Sequence, residues 1–335
     1  MTTLFSNGVR LNRREYVTVI LFVALIAVAA ILKPENFQAG QIESVFQSIL
    51  LSIPLIATGA MGMMMVICTK NIDISMGSVV GISGMVIGYL FKDYHFPFIS
   101  GVAIALVIGL LAGALNGVLI SYLGIPSLIV TLATLNTWRG LALIIGDGKE
   151  VDGFSMPAQM SLLVKTGPIP GVAWLVFIAL FVVVVMGMVM RYTHFGREVY
   201  AVGSNEFAAR MRGIDVRKVK FLVFSLCGMF GGLVGIMYGA RYGYYNPSNT
   251  GLNFEFVVIS ATVIGGVSMN GGSGTIVGAL LGSLLVGTIQ TWIPMMRISG
   301  FYNRAVYGLI IIVALFADKA VQTGQQRSYR PGHSQ

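Results

Sequence analysis

The stretch RYTHFGREVYAVGSNEFAARMRGIDVRKVK, residues 191–220, is the one long hydrophilic segment with order written into it. On both sides of it the chain is built for a lipid bilayer. Of the 335 residues, 56% are hydrophobic and only 10% are charged, and mean hydropathy is +0.81. Soluble domains carry about 25% charged residues. A chain this apolar has too little polar surface to cover itself, so the composition predicts an all-α polytopic membrane protein. Its 42 glycines fit that class, because small residues let membrane helices approach closely.

A bilayer core of about 30 Å takes roughly 20 apolar residues per helix. Outward from 191–220, ten candidate spans emerge: 15–32, 45–68, 76–91, 97–122, 126–146, 171–190, 219–240, 253–269, 275–293 and 302–317. The third, eighth and tenth are short, and Pro54 and Gly59 interrupt the second. The first follows Arg10, Arg13 and Arg14, and Ala27–Ala30 resembles a cleavage site, but the long apolar run reads better as an anchor than as a signal peptide.

With the N-terminus in the cytoplasm, the inner side receives Arg10, Arg13, Arg14, Lys70, Arg191, Arg197, Arg210, Arg212, Arg217, Lys218, Lys220, Lys319, Arg327 and Arg330. The outer side receives Lys33, Lys92, Lys149, Lys165, Arg241 and Arg297, a bias of 14 to 6. The positive-inside rule then predicts both termini and 191–220 in the cytoplasm. The expected organisation is a cytoplasmic arm over 1–14, a transmembrane domain over 15–317 and a disordered cytoplasmic tail over 318–335. The net charge of +9 thus speaks of orientation and not of a nucleic acid partner. Asp147, Glu150 and Asp152 make outer loop 147–170 the most acidic patch.

Within 191–220, GSNEFAARMRGID carries helix punctuation. Ser204 or Asn205 can N-cap, Glu206 sits in the positive first turn, Arg210 and Arg212 sit near the negative end, and Gly213 can close the helix. Phe207, Met211 and Ile214 fall on one apolar edge, and Asp215 can cap the next helix. Two turns are too few to stand alone in water. The segment is either a knob for a groove on a soluble subunit or an interfacial turn packed on headgroups and loops.

Two other stretches break the apolar pattern. CTKNIDISMGSVVG (68–81) places Asn71, Asp73, Ser75, Gly77 and Ser78 between apolar runs. Irregular backbone at membrane depth needs protein or water to satisfy it, and Asp73, Ser75 and Gly77 read as a structural turn opening the third span. VIGGVSMNGGSGTIVG (263–278) is glycine-rich but lacks the phosphate-loop lysine, so a tight turn between spans eight and nine is expected. Residues 74–88 and 272–287 share a polar-glycine start, a weak sign of an inverted repeat.

Asn116, Asn136, Thr137, Arg139, Glu255, Gln290, Asn303 and Arg304 fall within spans. Intramembrane polar groups face a bundle interior or a cavity, so Asn116, Asn136, Arg139, Glu255 and Asn303 are candidate pathway residues, and interhelical hydrogen bonding is the plainer role for each. Glu255 and Arg304 are a pair whose charges can offset one another. Tyr242, Tyr244 and Tyr245 fit an interfacial belt. Cys68 and Cys227 lie in apolar runs as small packing residues, and His95, His194 and His333 are scattered. No catalytic or metal motif is present, and a Walker lysine is absent, so any ATP and Mg would be bound by another chain.

These stretches resemble a known family. NIDISMGS (71–78) is similar to the GIDLSVGS signature of ribose-type sugar ABC permeases. IPSLIVTLATLNTWRGLALI (125–144), FGREVYAVGSNEFAARMRGIDVRKVK (195–220) and TGLNFEFVVISATVIGGVSMNGGSGTIVGALLG (250–282) follow the family's patterns in order, and the likeness runs from about residue 45 to 318. The resemblance implies a ten-helix permease of the vitamin-importer type, working with a second permease (identical or different), ABC ATPases and an extracytoplasmic substrate-binding protein. It implies that Gly203, Ser204, Asn205, Glu206, Phe207, Ala208, Ala209, Met211, Arg212 and Gly213 form the coupling helix. The ending RISGFYNRAVYGLIII (297–312) resembles rhamnose and autoinducer-2 permeases more than ribose ones. Phe256–Ser260 departs from the family's small-residue run and leaves the solute open. The rival class is an ion-coupled secondary transporter, for which only Glu255 is a plausible coupling carboxylate; a membrane enzyme lacks any nucleophile or metal cluster.

Overall fold

The computed structural model describes residues 13–34, 41–165 and 167–296, with isolated positions at 299, 302, 305, 308, 309 and 312. Most of the tenth candidate span, with Asn303, Arg304 and the tail, lies outside those residues, as do residues 1–12 of the arm. The described chain is helical, its one pair of bridging extended residues being Val151 and Tyr245. Its helices are α1 (Arg13–Leu32), α2 (Ile42–Cys68), α3 (Met76–Tyr94), α4 (Phe98–Ser121), α5 (Ser127–Gly146), α6 (Ala158–Val164), α7 (Trp174–Tyr192), α8 (His194–Ser204), α9 (Glu206–Met211), α10 (Val216–Tyr242), α11 (Phe254–Ile264) and α12 (Ile276–Met295). Seven of them (α1, α2, α4, α5, α7, α10 and α12) are long and apolar enough to cross a membrane. The chain is a polytopic membrane protein.

α2 is the central post. Every residue from Pro54 to Cys68 is buried, which is what a helix apolar on all faces requires. The expected interruption at Pro54 and Gly59 does not occur; the helix runs through both. A membrane helix tolerates an internal proline when its neighbours satisfy the freed backbone, and Gly59 is a point of close approach, facing Val258, Phe254 and Met76. Around α2, α4 and α10 pack backbone to backbone. A Cβ at Gly109 or Gly113 would strike the carbonyls of Gly228 or Phe224, and one at Gly232 the carbonyl of Ala105. This is the small-xxx-small logic of membrane helix pairs. α1, α4, α5 and α7 turn apolar side chains such as Ile20, Leu111, Ile144 and Phe181 outward, where lipid solvates them.

Two helices start deep inside the bundle. Met76 opens α3, yet it packs against Gly59 and Gly231. Gly59 lies nine residues before the end of α2, roughly 13 Å up that helix. Residues 69–75 therefore re-enter the bundle as irregular chain, as the polar run at 68–81 led us to expect. Phe254 opens α11 against the same Gly59, after residues 243–253 have entered from the opposite end. α3 then climbs to Tyr245 at its Gly84 and Gly88, while α11 descends until Gly265 meets Gly278. The pairs α2–α3 and α10–α11 thus repeat one device in opposite senses. The inverted likeness expected between 74–88 and 272–287 falls elsewhere, because α3 and α12 both climb away from the Cys68 end. The eighth span, expected over 253–269, stops as a helix at Ile264, since Gly265 and the positive-φ Gly266 turn the chain.

Candidate functional site

The three stretches that break the apolar pattern meet at one end of the bundle. Thr193 caps α8 by accepting from Gly196 N (3.2 Å). α8 had no counterpart in the sequence reading, although its buried Val199, Val202 and Gly203 against exposed His194, Arg197 and Ser204 give a legible amphipathic stripe. α8 brings Gly203 flat against the Cys68 carbonyl and the Gly272 amide, where no side chain fits. Gly272 N donates to Cys68 O (2.9 Å). Lys70 Nζ donates to Ser204 O (3.2 Å) and Tyr200 Oη to Gly274 O (2.9 Å). Positive φ at Lys70, Gly271, Gly272 and Gly274 folds the two outer strands of this hub. The 263–278 stretch is thus the expected turn between apolar helices.

From the hub α9 projects outward. Of the two expected caps, Asn205 is the one used: its Oδ1 accepts from Ala208 N (3.0 Å). Ser204 closes α8 and bonds back to Tyr200 O (2.9 Å). Gly213 has φ 81, and Asp215 caps α10 by accepting from Lys218 N (3.1 Å). Ala209 packs inward, while Ala208 and Arg212 stay on the outside. Phe207 and Met211 are 73% and 75% exposed. Ile214 does not share their edge, since the left-handed turn at Gly213 ends the helical period and sends Ile214 onto the core. Glu206 takes two cations, Arg210 at 2.7 Å and Lys220 at 2.8 Å, which pins α9 to α10. Partial burial works against its charge, but Lys220 and Arg210 outweigh that and hold the carboxyl below its ordinary value.

A second polar group lies where α3 and α11 begin. Asp73 accepts from Ser75 N (2.9 Å) and Ser75 Oγ (2.6 Å), and Asn116 Nδ2 donates to Ser75 Oγ (2.8 Å). Glu255 lies against Gly77, where a Cβ would strike its carboxylate and the Gly251 carbonyl. Arg139 donates to Thr250 O (2.7 Å), Pro247 O (3.2 Å) and Gly77 O (3.5 Å). Arg139 is also a cation whose charge acts on Glu255; the expected partner Arg304 lies outside the described residues. Asn116, Arg139 and Glu255 therefore converge on the start of α3: Asn116 and Arg139 bond to Ser75 and Gly77, and Glu255 lies against Gly77. Asn136 and Thr137 stand apart, exposed on α5 and bonded to their own helix at Leu132 O and Ala133 O. Tyr245 is not an interfacial residue. It is fully buried in a slot left by Gly84, Gly88 and Gly239, and its hydroxyl donates to Gly235 O (3.1 Å). No group of three or more His, Cys, Asp or Glu fit to hold a metal occurs among the described residues.

A buried polar seam, two helices that start mid-bundle and a capped knob at one end define a transport component. The family described as "Branched-chain amino acid transport system / permease component" matches residues 45–315. The chain belongs to that family: it is a permease subunit of an ABC importer and not an enzyme. Among the curated relatives are proteins named autoinducer 2 import system permease protein LsrC. The one from Yersinia enterocolitica is 32% identical over 95% of this chain and 86% of its own length. The one from Escherichia coli K12 is 33% identical over 95% and 91%. No solved structure matches the chain.

Proposed function

We propose that this permease carries a small sugar-like solute of the autoinducer 2 kind into the cell, driven by partner ATPases that dock on α8–α9. The observation that carries the reading is the hub. The exposed Phe207 and Met211 stand on an element whose Gly203 touches both Cys68 and Gly272. A push on α9 therefore acts on the re-entrant segment before α3 and on the turn before α12 at once. The two access states must differ in their contacts with the solute for this to move anything, and the α3 and α11 starts are the places where such contacts change. ATP and Mg belong to the ATPases, and an extracytoplasmic binding protein delivers the solute to the end that carries loop 147–170. A second permease, identical or different, meets the exposed polar face of α5 at Asn136 and Thr137, where lipid is a poor neighbour.

On this reading the seven long helices, α3 and α11 with its re-entrant loop are nine of ten crossings of the vitamin-importer type, the apolar sequence of 302–317 is the expected tenth, and both termini and 191–220 are cytoplasmic. Buried carboxylates beside broken helices also occur in ion-coupled carriers; membership of an ABC permease family and the exposed α9 knob favour the ATP-driven reading. Phe207→Asp tests it in the assembled complex. We expect correct insertion, loss of uptake and loss of solute-stimulated ATP hydrolysis. Full retention of both activities would remove α9 from the coupling path.

A further inference from the structure

Among the described residues a cavity of about 140 Å³ opens between α2, α10, α11 and α12, at the far end from the hub. Ser52, Tyr238, Arg241, Tyr242, Asn249 and Gln290 give it its chemistry. One wall is irregular backbone, with Gly251 and Asn253 at φ 68 and 60. Ser52 lies sixteen residues before the end of α2, about 24 Å from the hub at an α-helical rise. The cavity therefore sits in the opposite half of the bundle, against the segment that breaks off before α11.

Several polar groups here lack partners. Arg241 donates from Nη2 to Ser52 Oγ (2.9 Å), and Ser52 Oγ is 2.9 Å from Thr291 Oγ1. The buried Nε of Arg241 meets no acceptor among the described residues. The side-chain amides of the half-buried Gln290 and the exposed Asn249 make no hydrogen bond to a described residue either. For the buried Arg241 Nε an unmatched donor is costly. Beside these groups are two aromatic rings: Tyr238 and Tyr242 lie 4.4 Å apart between centroids, and the Arg241 guanidinium sits 5.3 Å from the Tyr242 ring. Ring faces for C–H groups, with two amides and a guanidinium for hydroxyls, match a compact polyhydroxylated molecule. They match a hydrocarbon or a cation poorly.

We propose that this cavity is a solute subsite held within a single permease subunit. It takes a small neutral polyol or cyclic sugar-like ligand, whose hydroxyls pair with Arg241, Gln290 and Asn249. The wall at 249–253 links the subsite to the start of α11, so an occupant touches an element that any change of access state must move. The proposal rests on the sugar-like reading of the function above.

The test uses the complete importer in proteoliposomes, with autoinducer 2, L-rhamnose and D-ribose offered in turn. Cys68 and Cys227 are both buried, so Asn249→Cys gives a thiol label with little background. The solute that the wild-type vesicles import should slow labelling of Asn249→Cys several-fold, and the other two should not. Gln290→Leu removes one neutral hydrogen bond and should raise half-saturation for the imported solute about five- to tenfold. Labelling blind to a solute that the same vesicles import, or wild-type half-saturation in Gln290→Leu, overturns the subsite and leaves the importer reading standing. Import of none of the three by the wild type overturns both.

Discussion

Gly77 is the residue on which the middle of the bundle turns. Its missing Cβ lets the Glu255 carboxylate and the Gly251 carbonyl lie against the first turn of α3, where the helix's positive end and Arg139 offset the buried charge. Gly77→Ala must push that carboxylate or the loop away. Overpacking of this kind costs about 1–3 kcal/mol, so we expect a lower melting temperature in detergent. Gly140→Ala is the matched control, because nothing lies within 4 Å of that position; equal melting of the two variants would disprove the tight contact. Glu206 allows a second prediction, on pH. Burial is the largest single influence on its folded pKa and raises it, but the hydrogen bonds and charges of Lys220 and Arg210 together outweigh that and leave the pKa depressed. The tie it makes is thus present above the unfolded carboxyl value of about 4.3 and is lost as pH falls through the lower folded value. The protection of the α9 amides, taken relative to intrinsic exchange at each pH, should be flat from neutrality to about pH 5 and fall in more acid buffer, and Glu206→Gln should show the lowered protection already at pH 7. Wild-type protection in that variant would show that α9 is held by something else.

At the scale of elements, the coupling of α8 and α9 divides cleanly between two substitutions. Asn205→Ala removes the side-chain cap of a six-residue helix, a loss of about 1 kcal/mol, and should fray α9 while leaving α8 seated. Gly203→Ala drives a methyl into the Cys68 carbonyl and the Gly272 amide, and should unseat α8 while leaving the α9 cap intact. On the coupling reading both lose uptake, Asn205→Ala in part and Gly203→Ala almost wholly, with ATPase subunits still bound in the second case. Co-purification with the ATPases and uptake on the same preparations decide it; strong uptake by Gly203→Ala would break the link between hub and transport. Much of this element was legible in advance. Caps, charges at helix ends and Gly213 are local features written in the sequence, and the structure uses Asn205, Gly213 and Asp215 as their chemistry dictates. The contact of Gly203 with Cys68 and Gly272 was not legible, because it joins residues far apart in the chain through backbone alone. Ile214 leaves the Phe207 edge for a related reason: a heptad-like spacing says nothing once the positive φ of Gly213 intervenes.

For the molecule as a whole, hydropathy located most helices within a few residues, because each long apolar run must satisfy its own backbone in lipid. It was blind to depth. The polar run at 68–81 marks irregular backbone at membrane depth, but nothing in the composition of 243–253 says that this segment plunges into the bundle, nor that Tyr245 leaves the surface for a slot between Gly84, Gly88 and Gly239. Glycines that look alike in sequence serve as lipid-facing residues, helix seams or slots for a ring, and only the partner helix distinguishes them. What hydropathy and charge do predict together is sidedness. The hub lies at one end of the bundle, beside Lys70, Arg210, Arg212, Arg217 and Lys218, while Asp147 and Lys149 sit past the end of α5. If the positive-inside rule governs this chain, Arg212→Cys reacts with an impermeant thiol reagent only in inside-out vesicles and Lys149→Cys only in intact spheroplasts. The buried Cys68 and Cys227 keep the background low in both. Reaction of both variants from the same side would mean an odd number of crossings between residues 149 and 212 does not occur, and would unseat the proposed topology; reaction with the sides exchanged would invert it and carry α9 away from any cytoplasmic motor.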